Sequence, residues 1–203
     1  MPFAIPPRWW LTETATCVPD PDLAPSHRLT LVLLPGPGFG DGTHPTTYLC
    51  LQALAALAPR AESFRMLDFG SGSGVLSIGA ALLGATVDAV EIDPHAIAHA
   101  ERNARASQVA DRIRHARSLD DAKGPFDVVV ANILRSVLLD FGAALVARLA
   151  PGATLVLSGL VSTDVPEVAS SYARRLGGQR PEVYERGEWR TLVWRRAFPA
   201  HEK

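Results

Sequence analysis

Asp68-Phe69-Gly70-Ser71-Gly72-Ser73-Gly74 places an acid two residues ahead of three alternating glycines. Without Cβ atoms, such a run can turn sharply and bring bare backbone against a ligand. About 20 residues further on, Glu91-Ile92-Asp93-Pro94 offers two carboxylates, the distance at which a nucleoside's ribose diol is bound in sheets of alternating strands and helices. A carboxylate accepts from both ribose hydroxyls at once. Asn132 then adds an amide, with one acceptor and two donors, after an apolar run.

Glycine spacing narrows the ligand. A dinucleotide fingerprint, G-x-G-x-x-G, requires a third glycine at position 75, which is Val75. The spacing is instead G-x-G-x-G with Asp68 in front, the form typical of S-adenosylmethionine enzymes. That ligand carries no pyrophosphate; it carries a sulfonium, an ammonium and a carboxylate, and an acid beside the turn serves the ammonium. Asp68, Gly70, Ser71, Gly72 and Gly74 are therefore candidate cofactor-binding residues. Of the two later acids, Asp93 is accounted for as a helix cap before Pro94. The ribose is accordingly assigned to Glu91, with Ile92 beside it. Asn132 has two readings by position alone: an amide over the cofactor's methyl group, or a side chain tying a loop to backbone carbonyls.

The elements that must position these residues alternate. Helices are expected over residues 45–57, 75–83, 94–107, 138–149 and 165–176. Strands are expected over 64–69, 86–92, 113–116, 126–133 and 154–160, and the end of the chain, 183–185 and 189–195, reads as a β-hairpin across Arg186-Gly187-Glu188. The continuous Val128-Val129-Val130-Ala131 run suits a strand buried on both faces of a parallel sheet. This predicts an α/β fold, a Rossmann-like open sheet of seven mostly parallel strands with helices on both faces and a C-terminal antiparallel hairpin. Ligands of such sheets bind at the carboxyl ends of the strands, beside the switch in strand order. Residues 1–42 differ: proline recurs at 2, 6, 7, 19, 21, 25, 35 and 37. They are expected to form an extended lead-in packed on the main domain, 43–203, with short strands at 9–11 and 29–34.

Composition narrows the class. The 203 residues are 47% hydrophobic and 20% charged with a net charge of −1, enough apolar matter for one core and no global field for a nucleic acid backbone. The two cysteines, Cys17 and Cys50, form no CxxC pair, which argues against zinc and disulfides. No charged lead into an apolar run marks a signal peptide, and no stretch is apolar enough to span a membrane. A cytoplasmic protein with no membrane or direct nucleic acid partner is expected.

The stretch Phe39-Gly40-Asp41-Gly42-Thr43-His44-Pro45-Thr46-Thr47, the glycine turn, Glu91-Ile92-Asp93-Pro94, Val130-Ala131-Asn132-Ile133-Leu134 and Leu157-Ser158-Gly159 occur in that order. Together they closely resemble the bacterial methyltransferases that modify ribosomal protein L11, the PrmA family. The resemblance runs over nearly the whole chain. It implies a class I methyltransferase fold, S-adenosylmethionine as cofactor, and an amine acceptor on a protein, a lysine or an N-terminal amine. By resemblance Gly42, Thr43, His44 and Thr47 line the cofactor site, Phe39 and Leu134 lie on the loops beside the acceptor, and Asn132 faces the incoming amine. Two departures stand out: Asp41 replaces a threonine, and the chain begins roughly where the family's separate recognition domain would stop. A small-molecule amine methyltransferase and a non-catalytic cofactor-binding subunit are the alternatives.

Other constellations are weaker. His95 and His99 are four apart on one helix, but a metal site needs three or four ligands and no third stands at a suitable spacing. Ser158-Gly159 lacks the G-x-S-x-G of a nucleophile elbow. Asp120 and Asp121 read as a solvated loop. Arg174, Arg175 and Arg180 read as a solvated basic face.

Overall fold

The computed structural model describes residues 3–5, 8–13, 29–57 and 63–195. Three short strands come first: β1 (Phe3–Ile5), β2 (Trp9–Thr12) and β3 (Leu29–Val32). They form a small sheet, β1 antiparallel to β2 and β2 parallel to β3. Its apolar residues belong to the same core as the helices that follow. Ile5, Trp9, Leu11 and Leu31 are buried with Leu51, Leu54 and Ile78, and the Trp9 indole donates to the Leu51 carbonyl at 2.9 Å.

From residue 45 the expected alternation appears. Helix α1 (Pro45–Leu57) precedes β4 (Phe64–Phe69), α2 (Val75–Leu82), β5 (Ala85–Val90), α3 (Pro94–Ala106), β6 (Ile113–Ala116) and β7 (Phe126–Asn132). Then come α4 (Arg135–Asp140), α5 (Gly142–Ala147), β8 (Leu149–Val161), α6 (Val165–Arg175), β9 (Glu182–Arg186) and β10 (Trp189–Arg195). The large sheet has seven strands in the order β6-β5-β4-β7-β8-β10-β9. Neighbours from β6 to β8 are parallel, and β10 is antiparallel to both β8 and β9. Order reverses between β4 and β7, so the switch point lies at the ends of Phe69 and Asn132.

Strand alternation divides the core in two. Met66, Val87, Val128, Val130, Val156 and Val193 face α1 and α2. Leu67, Val129, Ala131, Leu155, Leu157, Leu192 and Trp194 face the other way, with Leu138, Leu145 and Tyr172 of α4, α5 and α6. That is the two-faced burial expected of a parallel sheet.

The expected helix over 138–149 is corrected. The helical stretch begins at Arg135, breaks at Phe141 and ends at Ala147. Leu149 already belongs to β8, paired with Phe126, so the strand expected over 154–160 runs through Pro151 and Gly152 as well. Pro151 is tolerated because that part of β8 lies before its regular pairing with β7 and β10 resumes at Thr154. The break at Phe141 sits where Gly142 meets the ring of Tyr172; a Cβ at Gly142 would lie 3.4 Å from it. Cys17 lies outside the described residues. Among the described residues no helix is long and apolar enough to cross a membrane.

Candidate functional site

The glycine turn caps the carboxyl end of β4. The Gly70 and Ser71 amides both donate to the Val90 carbonyl, at 2.8 and 3.1 Å, tying the turn to the end of β5. Gly70, Gly72 and Gly74 all take positive φ, 80°, 53° and 80°, the left-handed region that favours glycine. Gly72 also lies so close to the preceding loop that a Cβ would sit 2.6 Å from the Phe39 carbonyl oxygen. Gly74 then caps α2.

The segment around Phe39 is fastened over this turn. Ser73 N donates to Phe39 O at 2.9 Å, and Ser73 Oγ donates to Gly40 O at 2.5 Å. Helix α3 supplies the clamps: Asn103 Nδ2 donates to Ser73 O while its Oδ1 accepts from Leu34 N, both at 2.9 Å. His99 accepts from Gly38 N through Nδ1 at 3.1 Å, and its Nε2 lies 2.7 Å from the Leu34 carbonyl. Thus His95 and His99 separate: His95 is exposed, His99 is buried and structural, and Asp93 caps the helix by accepting from His95 N. No group of three or more His, Cys, Asp and Glu suited to a metal occurs among the described residues.

Asp68 is 1% exposed on β4. Its Oδ2 accepts from Ser77 Oγ at 2.6 Å, and its Oδ1 is buried with no protein partner. Burial pushes its carboxyl up to about 6, against the stabilising Ser77 hydrogen bonds and helped by the nearby Glu91 charge. Ser77 was not anticipated; its signal is a lone polar position inside the otherwise apolar Val75–Leu82 helix.

Glu91 departs from expectation in one respect. Capping logic leaves Glu91 without structural work, yet its carboxylate accepts from Gly72 N at 3.0 Å, Ile92 N at 2.8 Å and Asp93 N at 3.1 Å. Those bonds hold it at the carboxyl end of β5 against the glycine turn. Ile92 beside it is 76% exposed, an apolar side chain left bare at the rim.

Asn132 ends β7 in register with Ser158 of β8, and Ser158 Oγ lies 2.6 Å from Thr191 Oγ1 of β10. Asn132 Oδ1 is buried without a protein partner. The Ile133 carbonyl that follows is packed against Gly159, whose φ is 83° at a bulge of β8, so closely that no Cβ fits. Leu134 next to it is 72% exposed. Cys50 of α1 lies under this row, a buried thiol pushed up to about 12 by desolvation.

The Asp41 carboxylate accepts from both Thr43 N at 2.9 Å and Thr43 Oγ1 at 2.7 Å, closing a turn before α1. Gly42 in that turn has φ 87°. The departure at Asp41 therefore has a local structural role, and Thr43 is exposed with its hydroxyl hydrogen engaged. His44 Nδ1 accepts from Thr46 N at 3.3 Å and lies 2.7 Å from Thr46 Oγ1. Its ring meets Phe39 at 5.5 Å and Trp189 at 4.6 Å between centroids. Thr47 is fully buried with Oγ1 unpartnered.

Sheet order and turn together define a Rossmann-like methyltransferase fold. A Thermus thermophilus 16S ribosomal RNA methyltransferase solved with AdoMet and guanosine shares it at a TM-score of 0.67, with 22% identity over 79% of this chain and 45% of that one. The family model for ribosomal protein L11 methyltransferase (PrmA) matches residues 1–197, and the chain belongs to that family. It is 42% identical over 187 residues to the ribosomal protein L11 methyltransferase of Methylococcus capsulatus, covering 92% of this chain and 61% of the relative. It is 36% identical over 190 residues to that of Teredinibacter turnerae, covering 93% and 60%. The chain thus spans about 60% of the length of these curated relatives. A crystal structure of a ribosomal protein L11 methylase from Lactobacillus delbrueckii subsp. bulgaricus superposes with a TM-score of 0.83 at 26% identity, covering 97% of this chain and 99% of that one.

Proposed function

We propose that this chain is the catalytic module of an S-adenosylmethionine-dependent methyltransferase acting on an amine nitrogen of a protein, with ribosomal protein L11 as the first acceptor to test. One observation carries the reading. Six buried side-chain polar atoms lack a partner among the described residues, and four of them, Thr47 Oγ1, Asp68 Oδ1, Ser71 Oγ and Asn132 Oδ1, belong to the turn, the strand ends and the helix start gathered at the switch point. An unpaired buried polar group costs about 1–3 kcal/mol, so a cluster of them marks where a polar ligand completes the bonding. A zwitterionic nucleoside fits that donor and acceptor set.

Asp68 would receive the ligand's ammonium, Glu91 the ribose hydroxyls, and Ile92 would offer an apolar face to the base. Gly70, Ser71, Gly72 and Gly74 would let backbone approach, with Gly42, Thr43 and Thr47 completing the rim. When bound, S-adenosylmethionine supplies a methyl group on a reactive sulfonium. The protein's part is then positioning. A free lysine amine has a pKa of about 10.4, and desolvation favours its neutral form. Asn132 Oδ1 accepts an amine hydrogen and aims the lone pair. His44 is better suited to fixing the loop: its Nδ1 already accepts from Thr46, and a neutral ring then carries its hydrogen on Nε2. The same reading takes residues 1–42 as a lead-in to a methyltransferase domain over 43–203, supported by the shared core and the Asn103 and His99 clamps, and places the protein in the cytoplasm.

Methyl-labelled S-adenosylmethionine, incubated with the protein and bacterial ribosomal protein L11, tests it. Label on the acceptor's amines, abolished by Asn132→Ala with cofactor binding intact, is expected. Label only on free small amines would select the small-molecule alternative; binding without any transfer would select the non-catalytic one.

A further inference from the structure

Pro35-Gly36-Pro37-Gly38 leads into Phe39 with no helix or strand of its own. Its two prolines carry no N–H, so few backbone groups remain to fix it. The hydrogen bonds that hold residues 34–40 run to α3 and to the glycine turn. His99 makes two of them. Its Nδ1 meets Gly38 N and its Nε2 meets the Leu34 carbonyl, so one ring spans two backbone groups four residues apart. An amide N–H only donates, and a carbonyl only accepts. Nδ1 is therefore bare, and Nε2 carries the hydrogen. The Asn103 amide, 3.3 Å from Nε2, then turns its hydrogen to Ser73 O at 2.9 Å.

The ring is fitted as closely as it is bonded. His99 is 3% exposed. A Cβ at Gly36 would lie 2.4 Å from the ring, and one at Gly38 would lie 2.9 Å from Nδ1. Neither glycine takes a positive φ, so the approach of His99, and not the backbone conformation, excludes a side chain there. What the ring holds bears on the cofactor site. Ser73 donates to both Phe39 O and Gly40 O, and a Cβ at Gly40 would lie 3.9 Å from Thr47 Oγ1. The segment thus spaces the glycine turn from Thr47, and Ser71 Oγ of that turn and Thr47 Oγ1 are two of the unpartnered buried atoms.

We propose that His99, as the neutral Nε2–H tautomer, is a positioning residue for the cofactor. It acts through Gly38, Phe39 and Ser73 to hold the glycine turn in its binding form. This rests on the methyltransferase reading for the identity of the ligand; amide exchange at Ser73 is independent of that reading.

Long-range ¹H–¹⁵N correlations of the histidine rings read the tautomer in wild type near neutral pH. Affinity for S-adenosylhomocysteine and amide hydrogen exchange at Ser73 are measured in wild type, His99→Ala and His99→Phe, the last keeping a ring but neither hydrogen bond. His99 lines a cavity of about 350 Å³ with Leu11, Leu33, Gly38 and Thr43, which gives added imidazole a way into His99→Ala. The control is 1-methylimidazole, which has no N–H to donate. Expected are hydrogen on Nε2 alone, an affinity about tenfold lower in both variants and Ser73 exchange at least about tenfold faster. Tenfold is the size of one hydrogen bond left unmade. Imidazole should restore His99→Ala and 1-methylimidazole should not. Faster Ser73 exchange in variants of a protein that takes up no S-adenosylhomocysteine would uphold His99 and overturn the methyltransferase reading. Hydrogen on Nδ1, an affinity or a Ser73 exchange rate unchanged in His99→Phe, or a His99→Ala rescued by both additives or by neither would overturn the proposal. Should His99→Phe not fold, the rescue of His99→Ala decides alone.

Discussion

The Glu91 carboxylate accepts the Gly72 amide hydrogen at 3.0 Å, so the acid that follows β5 and the turn that follows β4 are held as one unit. With Ile92 and Asp93 donating to its other oxygen, three amides aim the carboxylate before any ligand arrives. Preorganisation of this kind lowers what must be ordered on binding.

Glu91→Ala removes the bond to the turn and, with it, the carboxylate proposed to hold the ribose. Hydrogen bonds to a charged group contribute about 1.5–3 kcal/mol, so affinity for S-adenosylmethionine should fall roughly 10- to 100-fold. Glu91→Gln keeps an acceptor and should lose less. Calorimetric titration of both variants checks this, and an unchanged affinity in Glu91→Ala would remove Glu91 from the cofactor site.

Asp68 makes stability and binding oppose each other with pH. Its carboxyl sits at about 6 in the fold against an ordinary value of 3.8, raised chiefly by burial. The folded chain therefore holds this proton where the unfolded chain has lost it. The stabilisation is fully present below 3.8 and disappears as pH rises through about 6. At about 1.4 kcal/mol per pKa unit the difference is on the order of 3 kcal/mol. Asp68→Asn should flatten this part of the profile and raise ligand-free stability near pH 7.5 relative to wild type, while weakening cofactor affinity. In wild type, that affinity should drop as pH falls below about 6. Denaturant unfolding and titrations between pH 4 and pH 8 read both, and parallel profiles for the two proteins would contradict the assignment.

Gly159 packs against the backbone of Ile133, the residue that follows Asn132. Alanine there must adopt a φ near 83° and displace the Ile133 carbonyl. A left-handed alanine costs about 1–2 kcal/mol before the clash is counted, so Gly159→Ala should destabilise by roughly 2 kcal/mol or more. Methyl transfer should suffer more than cofactor affinity, because the displaced segment carries Asn132. Unfolding curves and single-turnover rates check this.

Asn103 joins the lead-in to the glycine turn through two hydrogen bonds. Asn103→Ala leaves the Leu34 amide and the Ser73 carbonyl without it, at about 1–3 kcal/mol for each buried group left unmade. Amide hydrogen exchange at Leu34 should accelerate at least about tenfold. An unaltered rate would show that the clamp is dispensable.

Much of this arrangement is legible in the sequence because local chemistry dictates it. The positive φ of Gly70, Gly72 and Gly74 demands glycine, Asp93-Pro94 starts α3 as a cap and first turn, and the valines of β7 announce a buried parallel strand. What stays hidden depends on partners distant in the chain. Trp189 meets His44 across 145 positions of sequence, a juxtaposition made only when β10 inserts beside β8. Capping logic looks only a few residues ahead and so misses the bond from Glu91 back to Gly72. The helix over 138–149 failed for a related reason: its apolar period continues through Leu149, but pairing with Phe126 draws Leu149 into the sheet.

The proposed function stands or falls on binding of S-adenosylmethionine at the switch point. Calorimetric titration of the purified protein with S-adenosylmethionine, S-adenosylhomocysteine and NAD tests it most directly. One saturable site is expected for each adenosyl ligand and none for NAD, since Val75 stands where the dinucleotide turn needs glycine. Binding of NAD with no uptake of either adenosyl ligand would contradict it.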